Sequence, residues 1–207
     1  MIARAGVQRV ALLADSHGAL DARVAALALG CDFVVHAGDV GSAAVLAQLA
    51  PVGALVAVRG NNDVTTKWPR GGGAVLDALP ESASLELPGG RIVAVHGHRH
   101  GPPARRHLRL RRAFPAARCI VYGHSHRLCC DVDDVPWVIN PGACGLARTF
   151  GGASCVVLTA AGDRWMLSVH RFAIVSSGRG NAAPPRWRRD FPAPSQAGAG
   201  PGEDGGA

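Results

Sequence analysis

The side chains of this sequence that could do chemistry occur in five short clusters, each just after an apolar run of four or five residues. The clusters combine Asp, His, Asn and Gly without cysteine: Asp15-Ser16-His17-Gly18, Gly38-Asp39, Gly60-Asn61-Asn62-Asp63, His96-Gly97-His98 and Gly123-His124-Ser125-His126. Carboxylate, imidazole and amide ligands without thiolate are typical of a catalytic site that binds Mn, Fe or Zn. They are not typical of a structural zinc site. The clusters therefore predict a metal-dependent activity.

The number of candidate ligands predicts two metal ions rather than one. Seven ligands exceed what a single ion needs, whereas two ions about 3.5–4 Å apart can share a bridging carboxylate. Two divalent ions supply a charge of about +4, and Asp15, Asp39 and a bridging hydroxide offset about 3 of it. The remaining positive charge favours an anion such as phosphate, and the hydroxide is an in-line nucleophile at neutral pH. We expect manganese first, with zinc, iron or nickel as alternatives.

The apolar runs before the clusters predict strands buried on both faces of a sheet. Leu20–Leu29 has helical spacing, and Ser42 is a predicted N-cap for a helix over Ala43–Leu49. The resulting β-α-β-α-β order predicts an α/β fold whose sheet begins parallel, and ligands bind at the carboxyl ends of such strands. The predicted strands are Val10–Ala14, Phe33–His36, Ala54–Val58, Ile92–Val95 and Cys119–Tyr122.

The second half of the chain is predicted to add a hairpin, a helix and a tail of biased composition. Leu85–Ile92 is typical of a hairpin around a Gly-Gly turn, and Pro103 is well placed to begin a helix that reaches Ala113. Three further strands look hairpin-like: Val135–Ile139, Ser154–Thr159 and Arg164–His170. Residues 176–207 are dominated by Gly, Pro, Ala and Ser, so we predict one domain over 1–175 and a disordered tail over 176–207.

Composition limits the partners of the protein. The chain has 207 residues, with 22 Lys+Arg against 15 Asp+Glu, and no apolar run approaches a membrane span. The apolar run near the N-terminus ends at Asp15 and predicts no cleavable signal, so we expect a cytoplasmic protein. Six arginines between 99 and 112 occur without an acid; a solvated helix face is favoured over a nucleic-acid contact. A small phosphate ester is the expected partner.

The five motifs, in this order, resemble those of the calcineurin-like metallophosphoesterase superfamily. The residues within these motifs, together with Asn140-Pro141-Gly142, are similar to those of its YfcE-type phosphodiesterase branch. The similarity runs from about Val7 to His170 and implies a β-sandwich flanked by helices, with the metal site at the C-terminal ends of the strands. It also implies two ligand sets that share Asp39: Asp15, His17, Asp39 and His126 for one metal, and Asp39, Asn61, His96 and His124 for the other.

The resemblance implies hydrolysis of phosphodiesters, with phosphomonoesters as an alternative, by attack of a bridging hydroxide. Most of the superfamily has histidine where this chain has Asn62, and the YfcE-type branch often has cysteine there. An amide can donate a hydrogen bond to a phosphoryl oxygen but cannot give up a proton, so protonation of the leaving group is in doubt. His98 either faces the substrate or packs, and Arg59 either orients phosphate or pairs with an acid.

A second function is compatible with the same fold. The retromer subunit related to this family keeps the fold as a scaffold for protein interaction, without turnover. Such scaffolds lose metal ligands, whereas this chain keeps all seven, which favours an enzyme. A nucleic-acid-binding module is a third alternative, which rests only on the arginine cluster.

Overall fold

The computed structural model describes residues 6–174 and the backbone of a strand over 187–191. Its helices are α1 Ala22–Leu29, α2 Ala43–Leu49, α3 Gly73–Ala78 and α4 Pro103–Ala113. Its strands are β1 Gln8–Leu13, β2 Phe33–His36, β3 Ala54–Ala57, β4 Ser82–Leu87, β5 Gly90–Val95, β6 Cys119–Val121, β7 Cys129–Asp131, β8 Trp137–Asn140, β9 Ser154–Ala161, β10 Arg164–Arg171 and β11 Trp187–Phe191. In this part of the chain, no helix is long and apolar enough to cross a membrane.

The strands form two sheets that pack face to face. The six-stranded sheet has the order β11-β10-β9-β1-β2-β3, and the five-stranded sheet has the order β4-β5-β6-β8-β7. Strands β1, β2 and β3 are parallel, as are β5, β6 and β8. The predicted parallel beginning, the α/β class and the sandwich flanked by helices are confirmed.

The core has three layers, and the layers explain why the strands are apolar on both faces. Between the sheets, Leu12, Ile139 and Leu158 are completely buried, and the rings of Trp137 and Trp165 meet edge to face at 6.2 Å. Helices α1 and α2 cover the outer face of the six-stranded sheet through buried residues Val24, Ala28, Val45 and Leu49. Helix α4 covers the other sheet. Each fully buried aliphatic side chain contributes about 1.5–3 kcal/mol.

Some elements differ from the sequence-based expectation. Helix α3 and strand β7 were not predicted, because both are short and lack clear periodicity. Strand β8 does not form a hairpin with β9; it lies parallel to β6 in the other sheet. Inside the predicted tail, Trp187–Phe191 pairs antiparallel with β10, whose outer backbone groups offer an edge for a further strand. The rest of the tail lies outside the described residues, and its disorder stays a prediction.

Several arginines between 99 and 112 form hydrogen bonds or ion pairs with other residues of the fold. Arg106 is buried and donates to the carbonyl of Gly101 at 3.2 Å, and Arg111 binds the carboxylate of Asp131 at 2.6 Å. Arg99 pairs with Glu81 at 3.1 Å. Arg105, Arg109 and Arg112 are exposed on α4, as expected of a solvated helix face, whereas the burial of Arg106 departs from that expectation. Nucleic-acid binding stays an untested alternative.

Candidate metal centre

The candidate ligands converge where the carboxyl ends of strands from both sheets meet. Strands β1, β2 and β3 of one sheet lead into three of the loops, and β5 and β6 of the other sheet lead into the remaining two. All seven predicted ligand residues take part in one connected set of short side-chain distances: Asp15, His17, Asp39, Asn61, His96, His124 and His126. Their role as ligands stays a prediction, but the structure brings them together.

One group contains Asp15, His17, Asp39 and His126, whose ligand atoms all lie within 4.8 Å of one another. The Nε2 atoms of His17 and His126 are 3.0 Å apart. Nε2 of His126 is 3.6 Å from Oδ1 of Asp15, and Nε2 of His17 is 3.7 Å from Oδ2 of Asp39. Two carboxylates and two imidazoles at these separations can surround one cation.

The second group shares Asp39 with the first. Oδ1 of Asn61 lies 3.0 Å from Nε2 of His96 and 2.9 Å from Nδ1 of His124. Nε2 of His96 is 3.4 Å from Oδ2 of Asp39. Asp39 therefore lies between the two groups, in the position that a bridging carboxylate would need.

Two of the histidine rings, those of His96 and His126, are oriented by backbone carbonyl groups, as is common for metal ligands. Nδ1 of His126 lies 3.0 Å from the carbonyl oxygen of Arg148, so Nδ1 carries the proton and Nε2 keeps its lone pair. Burial lowers the pKa of His17 and His126, and it lowers the pKa of His124 to about 4. These three imidazoles are therefore neutral near pH 7, which is the form that binds metal.

The two buried carboxylates provide the test of whether a cation fits. Burial raises the pKa of Asp15 to about 7, and its Oδ2 has no hydrogen-bond partner among the described residues. Burial opposes the ionisation of Asp39 too, but His96 and Asn62 outweigh it and hold the pKa of Asp39 below its usual range. Despite its burial, His96 has a raised pKa because of Asp39. A divalent cation would satisfy the free oxygen of Asp15 and compensate the negative charge of Asp39.

The backbone is strained at the same residues. Five of the seven candidate ligands have left-handed φ angles: 55° at Asp15, 48° at His17, 53° at Asp39, 68° at His124 and 57° at His126. Such angles are uncommon outside glycine and cost on the order of 1–3 kcal/mol each, and they concentrate at functional sites. Gly60 allows one close approach, since a Cβ there would lie 2.2 Å from Oδ1 of Asp39. These angles lower the stability of the fold, and they direct the candidate ligand side chains toward one another.

Asp63 supports the centre without belonging to the ligand set. Its buried carboxylate accepts hydrogen bonds from the backbone of Val40, Gly41 and Gly60, at 3.1, 2.8 and 2.8 Å, and from the indole of Trp68 at 2.9 Å. It thereby ties the loop after β2 to the loop after β3. The Gly-Asn-Asn-Asp motif contains this residue, but its spacing alone does not separate a supporting carboxylate from a ligand.

We expect Asp63→Asn to destabilise the protein by about 2–4 kcal/mol, because its amide nitrogen cannot accept the N–H groups that now converge on two oxygens. Thermal unfolding of metal-free protein measures the change. Asp77→Asn, at an exposed carboxylate, is the matched control. A melting temperature equal to that of the wild type would show that the four hydrogen bonds are dispensable.

Asn140 supports the loop that carries His124 and His126. Its amide nitrogen donates to the carbonyl of Gly123 at 2.8 Å and to the hydroxyl of Ser125 at 2.9 Å. Its Oδ1 accepts from the backbone of Gly142 at 2.9 Å. The Asn-Pro-Gly motif therefore positions the loop, which gives this part of the family resemblance a physical reason.

The other three predicted site residues lie around the centre. Asn62 donates to Asp39 twice, from its backbone at 2.8 Å and from its amide at 2.6 Å, and its Oδ1 accepts from Lys67. The His98 ring centroid is 5.4 Å from that of His96. Arg59 donates to the carbonyl of Leu76 and lies 3.9 Å from the carboxylate of Asp77. Arg59 thus has an acid within ion-pair distance, and its contact with phosphate stays a prediction.

Arg148 is a residue near the centre that the sequence-based reasoning missed. It is exposed, has a φ of 57°, and holds His126 through its carbonyl oxygen. Burial dominates the lowered pKa values of His17 and His126, and the charge of Arg148 contributes to both. No motif contains this arginine, so only the folded loop reveals it. Its charge adds to the attraction for an anion.

Comparisons with known proteins place this geometry in context. The sequence profile of the calcineurin-like phosphoesterase superfamily domain matches residues 9–163. Vps29 from Chaetomium thermophilum is 17% identical, with a TM-score of 0.72 over 90% of this chain and 100% of its own. Zinc-bound wild-type Vps29 from Entamoeba histolytica is 16% identical, with a TM-score of 0.67 over 88% and 98%. An archaeal phosphodiesterase is 24% identical, with a TM-score of 0.54 over 72% and 92%. No curated protein sequence gave a significant match.

Proposed function

Because the chain belongs to the calcineurin-like phosphoesterase superfamily, we propose that it is a hydrolase that uses two divalent metal ions to cleave phosphodiesters. Phosphomonoesters are the second substrate class. One observation carries the proposal: Asp39 approaches both histidine groups, at 3.7 Å from His17 and 3.4 Å from His96. A single mononuclear site would need neither the shared carboxylate nor the second group.

When bound, the two ions would activate water for attack on phosphorus and polarise the phosphoryl oxygens. The residues of the chain have the remaining tasks. Asp39 holds the two groups at a fixed separation, and Asn62 holds Asp39 through two hydrogen bonds. Arg148 adds positive charge beside the centre, which favours an anionic ester over a neutral one.

The physiological setting follows from the same proposal. We propose a small phosphate ester as the substrate, manganese as the first choice of metal, and the cytoplasm as the location. Manganese matches the mixture of carboxylate, amide and imidazole ligands. Zinc, iron and nickel are the alternatives.

A protein-interaction scaffold with the same fold is the second candidate function. The two Vps29 structures share this fold over most of the chain, and one of them was solved with zinc. Zinc binding therefore does not by itself separate an enzyme from a scaffold. Turnover is the property that separates the two.

We expect the purified protein to bind two divalent ions per chain and to lose hydrolysis of bis(p-nitrophenyl) phosphate after chelation. Elemental analysis after loading with Mn²⁺ gives the number of ions, and readdition of Mn²⁺ restores the rate. His100→Ala, at a histidine outside both groups, is the matched control and keeps two ions. One ion per chain at saturation would contradict the dinuclear centre, and full activity in chelator would contradict metal dependence.

A further inference from the structure

Tyr122 contacts both loops that carry the histidines of the second ligand group, His96 and His124. Its ring is buried directly after β6, two residues before His124. A Cβ atom at Gly97, the residue after His96, would lie only 2.9 Å from Cδ2 of this ring. The two loops are also joined through their backbones, since Gly123 donates to the carbonyl of His96 at 3.2 Å. The position of the Tyr122 ring therefore affects both loops at once.

The hydroxyl group of Tyr122 is held by a side chain of helix α4. It lies 2.9 Å from Nε2 of His107, and Nδ1 of the same imidazole lies 2.6 Å from Oδ2 of Asp131. Two hydrogen bonds from Arg111, at 2.6 and 3.1 Å, lower the pKa of Asp131, so its carboxylate is ionised and can only accept. Nδ1 of His107 therefore carries the proton, and Nε2 of the neutral ring accepts from the hydroxyl. A chain of hydrogen bonds thus runs from Arg111 to Tyr122.

This chain of hydrogen bonds fixes the Tyr122 ring more closely than apolar packing alone would. The ring lies in a small core between α4 and the five-stranded sheet, together with the buried side chains of Val95, Leu110 and Val138. Apolar contact is non-directional, whereas a hydrogen bond between a hydroxyl and an imidazole requires a particular distance and angle. The hydroxyl therefore defines where the ring lies against the two loops.

We propose that Tyr122 and His107 are positioning residues for the second ligand group, which hold His96 and His124 at the separation that one cation needs. The inference rests on the proposed function, because it assigns a metal ion to that group. Tyr122 acts through the loops that it contacts, and His107 acts through the hydroxyl of Tyr122. Loss of this hydroxyl lowers the metal affinity of the second group and leaves that of the first group unchanged.

Titration of the metal-free full chain with Zn²⁺ tests the two groups separately. The ¹H–¹⁵N NMR signals of the imidazole rings report the first group through His17 and His126, and the second through His96 and His124. In the presence of a competing chelator, we expect Tyr122→Phe, which removes only the hydroxyl, to weaken Zn²⁺ binding at the second group by about five- to tenfold. The first group keeps its wild-type affinity. Equal weakening of both groups would overturn the inference.

Trp165→Phe is the matched control for a general loss of stability. The indole nitrogen of Trp165 donates to the carbonyl of Pro88 at 2.8 Å, and the ring lies 4.4 Å from the guanidinium of Arg118, the residue before β6. The change therefore also removes one hydrogen bond from a buried ring, but at the opposite end of β6 from Tyr122. We expect both variants to unfold at a lower temperature than the wild type, with the Zn²⁺ affinity of both groups unchanged in Trp165→Phe. Selective weakening of the second group in this control as well would overturn the inference.

A double variant tests whether His107 acts through Tyr122. We expect His107→Ala to weaken Zn²⁺ binding at the second group about as much as Tyr122→Phe does. The double variant of these two changes should bind Zn²⁺ no more weakly than His107→Ala alone, because both changes remove the same hydrogen bond. Losses that add would overturn the proposed action of His107 through the hydroxyl.

The same titration separates this inference from the proposed function. Zn²⁺ in both groups of the wild type, with an unchanged second group in Tyr122→Phe, would overturn the inference and leave the dinuclear centre standing. A wild-type response at His17 and His126 alone would contradict the dinuclear centre and, with it, the inference. Selective weakening of the second group by Tyr122→Phe, in a protein that hydrolyses no ester, would support the positioning role and reject the enzyme.

Discussion

Asp39→Ala should lower kcat for bis(p-nitrophenyl) phosphate by at least about 10⁴-fold, a loss within the rate enhancements that enzymes achieve. Asp39 is buried and approaches both histidine groups, so its loss removes the carboxylate that joins them. His98→Ala should cost less, about 10²–10⁴-fold, which is the contribution of a group that acts as an acid or base on a bound phosphate. Steady-state rates of both variants with matched Mn²⁺ provide the comparison.

Metal content makes this comparison decisive. We expect the Asp39→Ala variant to contain fewer than two ions per chain and the His98→Ala variant to contain two. Asp163→Ala removes an exposed carboxylate and is the matched control, with wild-type rate and metal content. Equal residual rates for the Asp39 and His98 variants, with two ions in each, would refute a bridging role for Asp39.

The convergence of the seven candidate ligands could be predicted from sequence because each cluster is local. Every cluster follows a short apolar run, and a strand buried on both faces ends where the apolar run ends. The order of the clusters then places their side chains at the carboxyl ends of parallel strands. What the pattern could not show is that these strands belong to two sheets, since β3 and β5 are separated by α3 and by β4.

The supporting contacts were less predictable because they depend on loop geometry. Asp63 and Asn140 belong to recognised motifs, but their several hydrogen bonds follow from left-handed turns whose angles the residue types do not specify. Arg148 belongs to no motif at all. Arg59 was predicted beside phosphate or beside an acid, and only the position of α3 shows which acid lies near it.

The structure shows contacts of Asn62 that the sequence motif does not reveal. The sequence presents it as an amide in the place of a histidine that could assist the leaving group. In the fold, its side-chain nitrogen donates to Asp39 and its oxygen accepts from Lys67. These contacts favour a positioning role for Asn62 toward Asp39. Because both ends of its side-chain amide already have hydrogen-bond partners, Asn62 is even less able to assist the leaving group.

We therefore expect the wild-type rate to depend steeply on the leaving group. Without a proton donor at position 62, the departing oxygen leaves as an anion, so the rate falls steeply as the leaving-group pKa rises. A series of aryl and alkyl phosphodiesters, assayed with matched Mn²⁺, measures this slope. A slope near zero, with chemistry shown to be rate-limiting, would mean that another residue supplies the proton, and His98 would be the first to test.

Asn62→His should flatten that slope if the new imidazole reaches the leaving oxygen. The same change removes an amide that donates to Asp39, so we expect kcat for the best leaving groups to fall while alkyl esters lose less or gain. Asn62→Ala separates the two effects, because it loses the hydrogen bond without adding an acid. Parallel slopes for the alanine variant and the wild type, with a shallower slope for the histidine variant, would assign the difference to the imidazole. A histidine variant as steep as the alanine variant would place position 62 out of reach of the leaving group.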